Sequence, residues 1–298
     1  MKLRKAVALF TTVAAVTLAP AVVSAQSNDT PALPKVIRIF REEVKQGKDA
    51  AHEKTETSFA RMLAKNKYPA HSIALTLLAG PSEAWFLEAH DSFKSIEDVQ
   101  SFTDKNAAVK ADFANLDALD GELRANSRSM IAVLKDDLCY RPEEFMKELP
   151  HSRYMMVETM RVRPFADRRF AELAHQVIAA DKTAGIEESV ATYQVVAGAP
   201  SGTYLLFFPM KSMQFMDEGP ARSKAMMEAL GMEKAEAFYK NAAETIATSE
   251  SFIMAINPRM SYVSKEFASQ DPDFWTPKPA PMAKPAAKPA TEKTGAGQ

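Results

Sequence analysis

One phrase is written twice in this chain. The segment LLAGPSEAWFLEAHDSFKSI at residues 77–96 is echoed by VVAGAPSGTYLLFFPMKSM at residues 195–213. The echo places Gly80 with Gly198, Pro81 with Pro200 after one inserted residue, Trp85 with Tyr204, and Ser95 with Ser212. Further on, SRSMIAVLKDDLCYRPEEF at 127–145 matches SESFIMAINPRMSYVSKEF at 249–267, with Tyr140 facing Tyr262 and Phe145 facing Phe267. Two matches in the same order at similar offsets imply a tandem duplication, and each copy must then carry the same run of elements.

The first copy opens on KVIRIFREEV, a β-branched and aromatic strand, followed by a helix over 47–67 with Ala51, Thr55, Phe59, Met62 and Leu63 along one side. HSIALTLLAG and AWFLEAH read as short strands joined by a Gly-Pro-Ser turn. A helix over 96–125 and a strand over 129–134 complete the copy. In the second copy RYMMVETMRV is a strand, and Pro164 is placed to open a helix striped by Phe170, Leu173, Ala174, Val177 and Ile178. Gly185 stands where a C-terminal cap belongs. Strands SVATYQVVAG and TYLLFF, a helix over 226–248 with Gly231 as a point of interruption, and the strand SFIMAI follow.

That order, βαββαβ, is the ferredoxin-like motif, so the expected class is α+β with two tandem ferredoxin-like repeats. Such a unit covers one face of its sheet with helices and leaves the other bare. Here the strands are apolar on both faces: Ile73, Leu75 and Leu77 alternate with Ala74 and Leu78, and Leu205 and Phe207 alternate with Leu206 and Phe208. A sheet apolar on both sides needs a second cover. Each repeat is therefore expected to pack its bare face on the other. The expected boundaries are a signal segment at 1–25, a linker at 26–34, repeat 1 at 35–148, repeat 2 at 149–270 and a tail at 271–298.

In element order and duplication the chain resembles the dimeric α/β-barrel superfamily in a fused, two-repeat form. Its short βαββ cores and the NPRMSY stretch at 257–262 are similar to NIPSNAP-like proteins. The resemblance covers about residues 35–267 and implies a fold rather than a reaction. Because the superfamily includes haem-handling members, the histidines matter. None of His52, His71, His90, His151 and His175 lies in either second helix, where the haem-degrading members place theirs, so no cofactor is expected.

The ends carry their own signals. MKLRK, an apolar run, and Val23-Ser24-Ala25 form an export signal cut after Ala25, implying a periplasmic or secreted protein. The tail alternates Pro, Ala and Lys and is expected to be extended. Between them residues 26–276 hold 30 basic and 37 acidic side chains, which argues against a nucleic-acid partner. No later run is apolar enough for a membrane span. A lone cysteine, Cys139, excludes an internal disulfide and reads as a buried small hydrophobe. The molecule is expected as a monomeric pseudo-dimer or a homodimer.

Catalytic motifs of the nucleophile-elbow, zinc-protease and phosphate-loop kinds are absent. His52 and Glu56 form an i, i+4 pair that could ligate a metal. With no third ligand in view they read as a solvated helix face, and no metal is expected. Acidic pairs such as Glu42-Glu43 and Glu187-Glu188 read as solvated carboxylates at element ends. What stands out is charge inside apolar strands: Arg38, Glu88, His90 and Glu158. Buried charge is costly unless paired, so these four are the candidate ligand-binding residues, for a small hydrophobic molecule with a polar group. The aligned positions differ between copies, so any site is expected in one copy only. The leading expectation is an exported, non-catalytic binding or scaffold protein. The alternatives are a cofactor-independent monooxygenase or isomerase acting on a hydrophobic molecule, and an envelope protein tethered by its basic tail.

Overall fold

The computed structural model describes residues 32–276. The expected export signal, most of the linker and the chain from residue 277 lie outside the described residues. The elements run β1 Val36–Val44, α1 Asp49–Lys65, β2 Ser72–Leu77, β3 Glu83–His90, α2 Phe93–Lys105, α3 Ala107–Gly121 and β4 Arg124–Leu134. A short α4, Pro142–Glu148, leads to β5 Tyr154–Val162, α5 Asp167–Ala184, β6 Ala191–Ala197 and β7 Thr203–Met210. The chain continues with α6 Gln214–Leu230, α7 Met232–Thr245, β8 Ile246–Ile256, α8 Lys265–Ala268 and α9 Pro272–Trp275. The βαββαβ order thus occurs twice, with the second helix of each unit broken in two.

Within each unit the strands are ordered as the ferredoxin-like motif requires, β4-β1-β3-β2 and β8-β5-β7-β6. The edges then join antiparallel, β2 to β8 and β4 to β6, closing one eight-stranded barrel without a free edge. Alternation along the strands sends one set of side chains inward. Ile37, Ile39, Leu75, Trp85 and Met130 of the first unit meet Val157, Tyr193, Leu205, Phe207 and Met254 of the second in one buried core. Trp85 is fully buried, with Phe252 of the other unit 5.4 Å away and the Arg41 guanidinium 3.9 Å over its ring. Each sheet's bare face is covered by its partner, as the two-sided hydrophobicity demanded. Burying a large apolar side chain is worth about 1.5–3 kcal/mol, so neither half keeps this core alone.

The strand ladders of the two units correspond in register. Val44 pairs with Arg124 at a β-bulge, and Val162 pairs with Ile246 at the equivalent one. Tyr140 bridges Val190 while Tyr262 bridges Ser72, so each unit reaches into the other by the same device. Their hydroxyls repeat the symmetry, donating to the carbonyls of Ile186 and Tyr68.

Three expectations change. In β3 and β7, Val36 faces His90 and Tyr154 faces Met210, so Trp85 corresponds to Leu205 and not to Tyr204. The loop before β7 carries two extra residues rather than one, and a one-residue slip moves every side chain to the opposite face. Tyr204 accordingly packs on Phe170 of α5, outside the barrel. The helix expected at 226–248 begins at Gln214 instead and runs through Pro220. The helix expected at 96–125 is interrupted at Asn106, whose side chain accepts from the Val109 N–H and starts α3 anew. Gly185, at φ 65°, does cap α5, and Cys139 is buried with its thiol facing the Lys135 carbonyl.

Candidate functional site

Each unit holds a cavity between the outer face of its sheet and its own helices. The first, about 510 Å³, is bounded by β1, β3, α1 and α3, and the second, about 370 Å³, by β5, β7, α5, α6 and α7. Both linings carry charged side chains, but that of the second is the more apolar.

In the first cavity Arg38 and Glu88 face each other across the β1–β3 ladder. Arg38 donates twice to Glu88 Oε1, from Nε at 3.1 Å and Nη2 at 2.8 Å. The same oxygen lies 2.6 Å from His90 Nε2, and His90 Nδ1 lies 3.1 Å from the Ser95 hydroxyl. Three of the four residues singled out in the sequence are therefore in contact. Arg38 and Glu88 line the cavity, with His90 behind them bracing the glutamate. Beside them Tyr68 is buried, which pushes its hydroxyl up to about 12.

On the same cavity wall lies a second charged group. Glu42 comes from β1, His52 and Glu56 from α1, and Asp120 from α3, and all four are buried. His52 Nε2 is 3.0 Å from Glu42 Oε2 and 3.6 Å from Asp120 Oδ1. Arg124, at the head of β4, reaches the remaining oxygens, with Nη1 2.9 Å from Glu42 Oε1 and Nε 2.9 Å from Asp120 Oδ2. Burial, reinforced by Glu42 and Asp120, raises Glu56 to about 9. Burial and then Glu42 push Asp120 up as well. The His52–Glu56 pair is thus no solvated helix face, and Glu42 is no solvated carboxylate, because the packing of α1 and α3 on β1 shuts them from water.

Glu158, the fourth candidate, lies in the other unit. It occupies the place of Phe40 and projects into the second cavity among Met156, Met160, Leu173, Val177, Leu206 and Phe208. Among the described residues its carboxylate has no ion-pair or hydrogen-bond partner, and burial followed by the nearby Glu188 raises its pKa. Glu188 is held by Arg222, whose Nε lies 3.0 Å away, yet burial still lifts it above the ordinary range. Asp181, at the same cavity, is pushed up to about 6 by burial and by Glu188. Each copy has a cavity, and the candidate residues are divided between them, with Arg38, Glu88 and His90 at the first and Glu158 at the second. Glu188 and Arg222 carried no local signal, since one sits in an acidic pair and the other on a helix where a single arginine among mixed polar and apolar residues reads as solvated.

The register converts one cavity into the other. Val36 to Val44 corresponds to Tyr154 to Val162, and the backbone bonds His52 N–H to Lys48 and Phe170 N–H to Ala166 align α1 with α5. Lys45 N–H bonds Leu123 as Arg163 N–H bonds Thr245, aligning α3 with α7. Glu42, His52, Glu56, Asp120 and Arg124 are thus replaced in the second unit by Met160, Phe170, Ala174, Ala242 and Ile246, which all line its cavity. Arg38 and Glu88 become Met156 and Phe208.

No protein-family model and no curated protein matches the chain. Several solved structures are similar in shape. One is a candidate monooxygenase from Fusobacterium nucleatum subsp. nucleatum, 15% identical over 76% of this chain and 93% of its own, with a TM-score of 0.49. Another is an anthrone oxidase-like protein, 10% identical over 76% of this chain and 94% of its own, with a TM-score of 0.48. A third is a candidate chlorite dismutase, 13% identical over 75% of this chain and 95% of its own, with a TM-score of 0.47. The names of the first two agree with the enzyme alternative and not with the expected non-catalytic binding or scaffold protein, while the likeness itself extends to shape alone. No helix among the described residues is long and apolar enough to cross a membrane. By its own strand order the chain has the dimeric α/β-barrel fold, with both halves supplied by one polypeptide.

Proposed function

We propose that the protein is an enzyme that moves a proton on a hydrophobic small molecule bound in the second cavity, as an isomerase or a cofactor-independent monooxygenase does in its first step. The observation that carries this reading is Glu158, a carboxylate without a cation partner set in an apolar cavity of about 370 Å³. An ionised carboxylate there is poorly solvated and is a stronger base than one in water. It takes a proton from a carbon made acidic by a neighbouring carbonyl, and the electron pair left behind moves onto the carbonyl oxygen. Arg222 places a positive charge at the same cavity, and through Glu188 it fixes a second carboxylate that can return the proton. The apolar wall selects a ring or chain without charge, and no cofactor is needed for the proton transfer.

The Arg38–Glu88–His90 group takes no part in this reading, because it lies at the first cavity, where Arg38 and His90 share Glu88 Oε1. We also read the chain as an exported, NIPSNAP-like tandem duplication. The duplication is supported by the reciprocal Tyr140 and Tyr262 bridges, and export by the segment at 1–25.

Native mass spectrometry of freshly purified protein identifies a co-purified molecule, which is then returned to the protein in deuterated water. Exchange of its acidic hydrogen is expected, and Glu158→Gln is expected to slow it by about 10²-fold or more. Leu173→Trp, which fills the cavity, is expected to release the molecule. Binding and exchange that survive both substitutions overturn the reading.

A further inference from the structure

The charged cluster of the first unit does not take part in the chemistry proposed for the second. We propose that Glu42, His52, Glu56 and Asp120 form a binding site for one divalent transition-metal ion, of the Mn²⁺, Fe²⁺ or Zn²⁺ class, in the wall of the first cavity.

The geometry is the first argument. One ligating atom from each of the four lies within 4.8 Å of the others. Metal–ligand bonds of about 2.0–2.2 Å put donors on opposite sides of an ion about 4.2 Å apart, so small side-chain movements close the cage. One imidazole nitrogen with three carboxylates suits this class of ion: carboxylates alone favour Mg²⁺ or Ca²⁺, whereas imidazole draws the first-row metals.

Asp120 is the second argument, and it is independent of the count of acids. The residue is 1% exposed, and neither of its carboxylate oxygens has a hydrogen bond. Arg124 Nε approaches one of them at 2.9 Å, without hydrogen-bond alignment. The other faces His52 Nε2 at 3.6 Å. Arg124 balances the charge from the Oδ2 side only, so Oδ1 is a buried oxygen with neither hydrogen bond nor cation, which is costly unless an ion completes it.

Arg124 supplies the third argument. It lies against Glu42 Oε1 and Asp120 Oδ2, on the side away from His52, which leaves Glu42 Oε2 and Asp120 Oδ1 turned to the imidazole. Outer partners that fix the orientation of ligating carboxylates are the usual support of a metal centre.

Finally, the fold does not need these charges. The second unit builds the same corner from Met160, Phe170, Ala174, Ala242 and Ile246. Four buried ionisable groups kept where apolar ones suffice are a specific feature of the first unit. Glu42, Glu56 and Asp120 also line the cavity, so a bound ion is open to a ligand there.

The full chain is stripped with chelator and dialysed against Mn²⁺ and, separately, Zn²⁺, with elemental analysis for stoichiometry and water-proton relaxation for Mn²⁺. One ion per chain is expected. Asp120→Asn, His52→Gln and Glu56→Gln are each expected to weaken binding by about tenfold or more, while the exposed His175→Gln on the other unit leaves it unchanged. Should the first two variants fold poorly, Glu56→Gln decides the matter, because among the described residues that carboxylate makes no hydrogen bond or ion pair that folding could lose. Absence of stoichiometric binding of either ion to folded wild-type protein, or unchanged affinity in folded Glu56→Gln, overturns the proposal.

Discussion

Glu56 gives the sharpest link between this structure and a solution measurement. Its side chain is 7% exposed residue by residue, and burial among like charges raises it from an ordinary 4.5 to about 9. The folded protein therefore holds a proton that the unfolded chain gives up between these values. Stability follows the difference in bound protons, so it is highest below about pH 4.5 with respect to this group and declines as pH rises toward 9. Each pH unit in that window is worth at most 1.36 kcal/mol. Between pH 5 and 8, relaxation of the site leaves a decline of about 2–4 kcal/mol. For a domain of this size each kcal/mol moves Tm by about 2–4 °C, so Glu56 is expected to lower Tm by on the order of 4–16 °C over that range. Glu56→Gln mimics the protonated form and removes this part of the slope. Thermal melts of both proteins followed by circular dichroism in chelator at pH 5, 6, 7 and 8 read the difference. Parallel slopes for wild type and variant refute the assignment, whatever the absolute Tm values.

Two further outcomes test the packing. Gly198 has φ +85°, and a Cβ there would meet the Ser129 carbonyl oxygen at 2.1 Å and Met130 Cα at 2.8 Å, across the β4–β6 seam. Gly198→Ala is expected to cost about 2–3 kcal/mol, more than Gly80→Ala, whose nearest contact is the Leu77 side chain at 3.2 Å; equal melting shifts contradict a closed seam. Burial pushes the Cys139 thiol up to about 11, so at pH 8 it is expected to react with a disulfide reagent at least about 100-fold more slowly in the native than in the unfolded protein, and fast native labelling contradicts its burial.

The sequence exposes the barrel because its strands are apolar on both faces, and only a second sheet can cover Ile37, Leu75 and Leu205 at once. Element ends were harder. The polar start of β4, Arg124 to Ser129, alternates nothing and is mostly exposed, so no period marks it. Gly219 and Pro220 read as helix breakers, yet α6 buries none of its side chains and runs through them. Among site residues, Arg38, Glu88, His90 and Glu158 were visible because each interrupts an apolar strand. Glu42 and Asp120 were not, because the contact among β1, α1 and α3 that makes them neighbours is tertiary; only the His52–Glu56 spacing gave half of that signal. The one-residue slip between Tyr204 and Leu205 shows why two echoing strands fix a fold better than a site. Apolar residues on both faces align almost equally well in either register, while only one register puts a given side chain in a given cavity.

Crystals of the protein with the co-purified molecule provide the most direct measurement. The molecule is expected between the outer face of the second sheet and α5–α7, with a polar atom within hydrogen-bond reach of Glu158. Density inside the barrel instead, in the space of about 220 Å³ beside Ile37, Leu75, Tyr193 and Phe207, would contradict a catalytic site on the helical side.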